Sequence, residues 1–125
     1  MILVSLTLAP APGRRQEMID VFWLIIGPIR AQPGCLSCGL YQEISNGEQL
    51  LYMEAWETQG QLERHMRSIR YERLLAVMDA SVQQPVLRYQ TISMVTGLEY
   101  LEAVRMGSTL SPPEANGANQ ENKTR

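Results

Sequence analysis

Two alternating runs flank Asn46-Gly47 near the middle of the chain, and that arrangement predicts a β-hairpin. In residues 36–44, Leu36, Cys38, Leu40 and Ile44 fall on one face, with Ser37, Tyr41 and Glu43 on the other. In residues 49–56, Leu50, Tyr52, Glu54 and Trp56 oppose Leu51, Met53 and Ala55. Both faces of the second run carry apolar side chains, so both are expected to be covered.

The rest of the chain repeats a strand–helix–strand order on either side of this hairpin. Residues 2–8 alternate Ile2, Val4, Leu6 and Leu8 against Leu3, Ser5 and Thr7, and predict the first strand. Over residues 14–26, Met18, Phe22 and Ile25 recur at helical spacing and continue to Ile29. Gly27-Pro28 is expected to disrupt that helix near its end, with a further turn following to Ala31, and Pro33-Gly34 predicts a turn. Thr58 reads as an N-cap with Gln61 as its capping-box partner. Leu62, His65, Met66 and Ile69 then share a helical face. A second helical piece, re-capped by Ser68, is expected over 69–80 with the stripe Leu74, Val77 and Met78. Residues 86–95 predict a fourth strand, and 98–105 a short helix after Gly97. The folded domain is expected to span 1–106, with 107–125 a polar, flexible C-terminal tail.

A βαββαβ order of this length implies an α+β, ferredoxin-like domain: a four-stranded antiparallel sheet with helices on one face. No strand offers a fully polar face to water, so the opposite face predicts a homodimer packed sheet to sheet. A single domain is the expectation for 125 residues. The net charge of −2 leaves no strongly basic surface, which argues against nucleic acid as a partner. No apolar run approaches the roughly 20 residues of a membrane span. The opening MILVSLTLAPAPG lacks the positive region of a signal peptide and reads as a strand, so a cytoplasmic protein is expected. Cys35 and Cys38 form a C-x-x-C, but on a regular strand they point to opposite faces and share neither a disulfide nor a metal. Two cysteines and one distant histidine fall short of a zinc site, so no metal is expected.

The turn Pro33–Ser37 (PGCLS), Glu54 and Trp56 at a strand end, His65 nine residues later, and the run Arg70, Tyr71, Leu74, Leu75 together resemble the antibiotic biosynthesis monooxygenase family. The resemblance covers about residues 1–105. It implies a dimeric α+β barrel with a small cavity between sheet and helices in each subunit. In the members that are enzymes, a small aromatic phenol, quinol or anthrone-like substrate is oxidised there by O2 with no cofactor, neither metal nor flavin. Other relatives bind and degrade haem and carry an asparagine on the first strand. This chain has Ser5 and Thr7 there instead.

Cofactor-free oxygenation needs a substrate anion rich enough in electrons to reduce O2, and hence a base. His65, the only histidine, has the right ordinary pKa. Trp56 offers a face on which a flat substrate could stack. Tyr52, Glu54, Phe22, Trp23 and Tyr71 are the expected substrate-binding residues. Each also has a structural reading. His65 is then a buried, hydrogen-bonded core residue, Trp56 fills space under the helix, and Glu54 pairs with an arginine, Arg88 by spacing. The competing functions are a non-catalytic ligand-binding or structural dimer of the same fold and, from the resemblance, a haem-binding or haem-degrading protein with His65 as axial ligand.

Overall fold

A computed structural model describes residues 1–107. The chain runs β1 (Ile2–Leu8), α1 (Arg15–Arg30), β2 (Cys35–Glu43), β3 (Asn46–Trp56), α2 (Gln59–Met66), α3 (Tyr71–Asp79), β4 (Val86–Thr91) and α4 (Leu98–Arg105). The first compact unit, Met1–Thr91, holds the whole sheet and α1 to α3; α4 belongs to a second unit beginning at Ile92. The tail expected from 107 onward lies, past that residue, outside the described residues.

The sheet order is β2-β3-β1-β4, with every neighbouring pair antiparallel. This is the ferredoxin-like α+β arrangement, with the second helix divided into α2 and α3. Cross-strand pairs Val4 with Glu54, Leu6 with Tyr52 and Leu8 with Leu50 set one face of the sheet. Met18, Phe22, Ile25 and Ile29 of α1 share the buried core with those residues. Burying each such side chain contributes about 1.5–3 kcal/mol, so this one seam fixes the packing of α1. Leu3, Ser5, Thr7, Leu51 and Met53 alternate onto the opposite face.

Several local expectations are corrected. Gly27-Pro28 does not break α1, which continues to Arg30. Pro28 removes only the bond to the Leu24 carbonyl. Leu24 lies on the exposed flank, open to solvent, and Ala31 N–H closes the end on the Gly27 carbonyl at 3.2 Å. The hairpin exists, but it turns at Ile44-Ser45, with Glu43 opposite Asn46. Gly47 does not adopt a positive φ. The Asn46 side chain instead accepts from Glu48 N–H at 3.3 Å, which spends its turn-forming capacity inside β3. Strand β4 ends at Thr91 because its partner β1 ends there, at Ile2. Ile69 lies beyond α2 and is exposed, and Ser68 does not cap α3 with its side chain; its hydroxyl donates to the His65 carbonyl at 2.7 Å.

The largest correction concerns the C-x-x-C. Cys35 pairs with Trp56 and Ser37 with Ala55, so Leu36 is an extra residue in a bulge. The inserted residue reverses the alternation. Cys35 and Cys38 therefore lie on the same face, opposite Trp56 and Glu54, and both are free thiols.

Candidate functional site: a buried carboxylate–imidazole cluster

Strand β3 carries Tyr52, Glu54 and Trp56 on the helix-facing side, spaced by the two-residue period. Helix α2 starts at Thr58, whose hydroxyl accepts the Gln61 N–H at 3.2 Å as the N-cap reading requires. Two turns later its buried stripe, Leu62 and His65, reaches the sheet. The short link from Trp56 to Thr58 thus brings a strand-end carboxylate and a helix imidazole into contact.

Glu54 is the hub. Its Oε1 accepts from Trp56 Nε1–H at 2.8 Å, and its Oε2 accepts from the Tyr52 hydroxyl at 2.5 Å. His65 Nε2 lies 3.0 Å from the same Oε2. On the other side of the ring, Gln32 Nε2 meets His65 Nδ1 at 3.2 Å. The amide donates to Nδ1, so Nε2 carries the proton and donates to Glu54. Tyr52 spends its proton on Glu54, so the Cys38 thiol, 3.3 Å from the phenol oxygen, is the donor in that contact. The result is two donor chains that converge on the Glu54 carboxylate, one from Cys38 through Tyr52 and one from Gln32 through His65, each buried polar group partnered.

The electrostatics follow. Burial alone would raise the Glu54 carboxyl, but the hydrogen bond from His65, with the bonds from Tyr52 and Trp56, outweighs it and holds the group below the ordinary carboxylate value. Burial, with the Glu54 charge adding to it, pushes the Tyr52 phenol well above its usual range. Burial likewise drives the Cys38 thiol up to about 12. Both groups stay protonated and serve as donors.

The aromatic residues divide. Trp56 stacks on His65, ring centroids 4.9 Å apart, and Tyr71 sets its edge on the imidazole at 5.2 Å. Trp56 and His65 are both 0% exposed. The indole face assigned to a flat guest is therefore occupied by the imidazole. Phe22 is buried and stacks on Tyr52 at 5.0 Å. Trp23, one residue on, is 77% exposed and faces away from the cluster. Phe22 and Trp23 do meet along a cleft of about 340 Å³ between α1 and β2, with Arg15, Arg30, Leu40 and Leu50. The expected Glu54–Arg88 pair is absent: Arg88 aligns with Ser5 on the opposite face, while Glu54 aligns with Val4. Gln32 and Cys38 were not anticipated. Gln32 lies in the turn after α1, where only the fold brings it to His65; Cys38 was obscured by the bulge.

Among the described residues, no group of three or more His, Cys, Asp or Glu is placed to hold a metal ion. No helix of the described residues is long and apolar enough to cross a membrane.

Sheet order, helix layer and buried cluster define a ferredoxin-like α+β protein with a carboxylate–imidazole pair at its centre. A family profile described as antibiotic biosynthesis monooxygenase matches residues 1–77, and the chain belongs to that family. A conserved protein from Methanosarcina mazei Go1 is 26% identical, with a TM-score of 0.67 over 71% of this chain and 89% of that one. The structure of Rv0793 from Mycobacterium tuberculosis shares the fold, with a TM-score of 0.69 at 22% identity over 77% of this chain and 98% of that one. An uncharacterised protein of Synechocystis sp. is 27% identical over 67 residues, which is 54% of this chain. The match spans 46% of that relative's length, less than half.

Proposed function

We propose that this protein is a cofactor-independent monooxygenase, active as a homodimer, that oxidises a small quinol- or anthrone-like aromatic with O2. The observation that carries this reading is the Glu54–His65 pair. A carboxylate held ionised beside a buried imidazole is the arrangement that lets the imidazole take up a proton and keep it as a stabilised cation. His65 acts as base, Glu54 orients and stabilises it, and Trp56 and Tyr71 fix the plane of its ring. The cleft between α1 and β2 has the volume of a small aromatic molecule, but His65 is not among the residues that line it, so a substrate reaches the base only where the cover over the imidazole opens. The base removes a hydroxyl proton from the enol form of the substrate, and the electron-rich anion reduces O2. Oxygen adds at carbon, that carbon loses its remaining proton, and the O–O bond breaks. One oxygen atom stays as a carbonyl and the other leaves as water.

Oxygen uptake with quinols or anthrones tests this. Wild type should consume one O2 per quinone formed and incorporate label from isotopic oxygen, and His65→Ala should be slower by about 10²–10⁴-fold. Equal rates for the two proteins would refute it.

A non-catalytic reading draws on a different observation. Both ring nitrogens of His65 are engaged, and neither His65 nor Trp56 has exposed surface. On that reading the cluster is a satisfied core network, and substitutions in it change stability alone.

A further inference from the structure

The cluster has one replaceable partner. Tyr52, Glu54 and Trp56 are fully buried and are bound to one another. Gln32 sits on the part-exposed turn between α1 and β2 and contributes a single bond, Nε2 to His65 Nδ1 at 3.2 Å. Nε2–H of the imidazole is committed to Glu54, so the basic lone pair is at Nδ1, where the amide covers it. We propose that the place held by the Gln32 carboxamide beside Nδ1 is a subsite for a phenolic or enolic hydroxyl, and that Gln32 is a positioning residue displaced when such a ligand binds.

The exchange is chemically even. A hydroxyl donates in the same sense as the amide, so replacing one with the other leaves no buried group without a partner. The freed carboxamide turns to water at the surface. A carboxylate ligand is an acceptor only and would set lone pair against lone pair, so the subsite selects neutral hydroxyl donors. Proton transfer there breaks the ligand O–H bond and forms Nδ1–H. The electron pair stays on the ligand oxygen, and the imidazolium remains bonded to the Glu54 carboxylate. The identity of the natural ligand rests on the oxygenase reading; the subsite itself does not.

The single histidine makes the test specific, because carbethoxylation by diethyl pyrocarbonate, followed by ultraviolet absorbance, reports on His65 alone. Wild type should react slowly and Gln32→Ala roughly tenfold faster or more, since the reagent attacks in proportion to the open fraction of the site. Gln61→Ala serves as control. Gln61 packs over Gly34 in the same region but has no bond to the imidazole, so its variant should react like wild type. NMR of the ring nitrogens in wild type should show the Nε2–H tautomer. Under anaerobic conditions 1-naphthol should slow carbethoxylation of Gln32→Ala, and 1-naphthoate should not. The proposal is overturned if Gln32→Ala reacts no faster than wild type, if Gln61→Ala accelerates equally, if the Nδ1–H tautomer is found, or if naphthoate protects as well as naphthol. None of these readouts involves oxygen uptake, so an inactive oxygenase and a missing subsite are told apart.

Discussion

Trp56 and His65 lie face to face, their planes 25° from parallel, and both are tied to the two oxygens of one carboxylate. The indole fixes the plane of the imidazole, and Glu54 fixes its rotation within that plane. An imidazole restrained in both senses presents Nδ1 in one direction, toward the turn after α1.

Replacing Glu54 with glutamine removes the charge and puts an NH2 group where one donor (at Oε1) or two (at Oε2) already point. Leaving a buried donor without its acceptor costs about 1–3 kcal/mol. Urea unfolding of Glu54→Gln should show a loss of that order. A change below about 1 kcal/mol would mean that the cluster relaxes around the amide.

The same carboxylate predicts acid sensitivity. Its folded-state pKa is held below the unfolded value of about 4.3, so the folded state binds fewer protons in that range. The stabilisation is fully present above the unfolded pKa and is lost as pH falls through the depressed folded pKa. Thermal midpoints of wild type should therefore drop as pH falls below about 4.3, and Glu54→Gln should lack that part of the slope. Parallel profiles for the two proteins would contradict this assignment.

The cysteines should behave differently although they share a face. Cys38 is buried, with its thiol pushed up to about 12, so it should resist iodoacetamide at pH about 8. Cys35 is only partly buried, but burial and the Glu54 charge raise its thiol too. It should be alkylated, more slowly than a cysteine in an unfolded peptide. Mass spectrometry of the digested native protein distinguishes the two sites.

The proposed homodimer, packed sheet to sheet, predicts a sensitive position at Met53, which faces away from the helices beside Ser5 and Gly39. Met53→Glu places a charge in the centre of that surface, where an uncompensated carboxylate is costly to bury. Sedimentation should show wild type as a dimer at micromolar concentration and Met53→Glu as a monomer with unchanged secondary structure. A monomeric wild type would remove the homodimer from the proposal.

Much of this fold was legible in the sequence. Ile2–Leu8 and Leu98–Arg105 emerge with the predicted bounds, and the predicted α1 stripe of Met18, Phe22, Ile25 and Ile29 is buried. Strong periodicity made β1 and α1 readable, and Gly97 marked where α4 begins. What stayed hidden were features that depend on one residue more or less. Alternation cannot reveal the bulge at Leu36, because the apolar count is the same with or without it. Asn46-Gly47 signalled a hairpin correctly but misplaced its turn by two residues. The site was half visible. Glu54, Trp56 and His65 stand out by type and by position near a strand–helix junction. Gln32 carries no local signal, being one polar residue in a turn, and only the tertiary fold brings it to the imidazole.

The three-donor grip on Glu54 has an evolutionary consequence. The side chains that would perform chemistry are also the keystone of the sheet–helix seam, so most changes among them endanger folding before they can alter reactivity. Diversification of ligand choice in proteins built this way should accordingly concentrate in the α1–β2 turn and along the neighbouring cleft, leaving the inner anchor untouched.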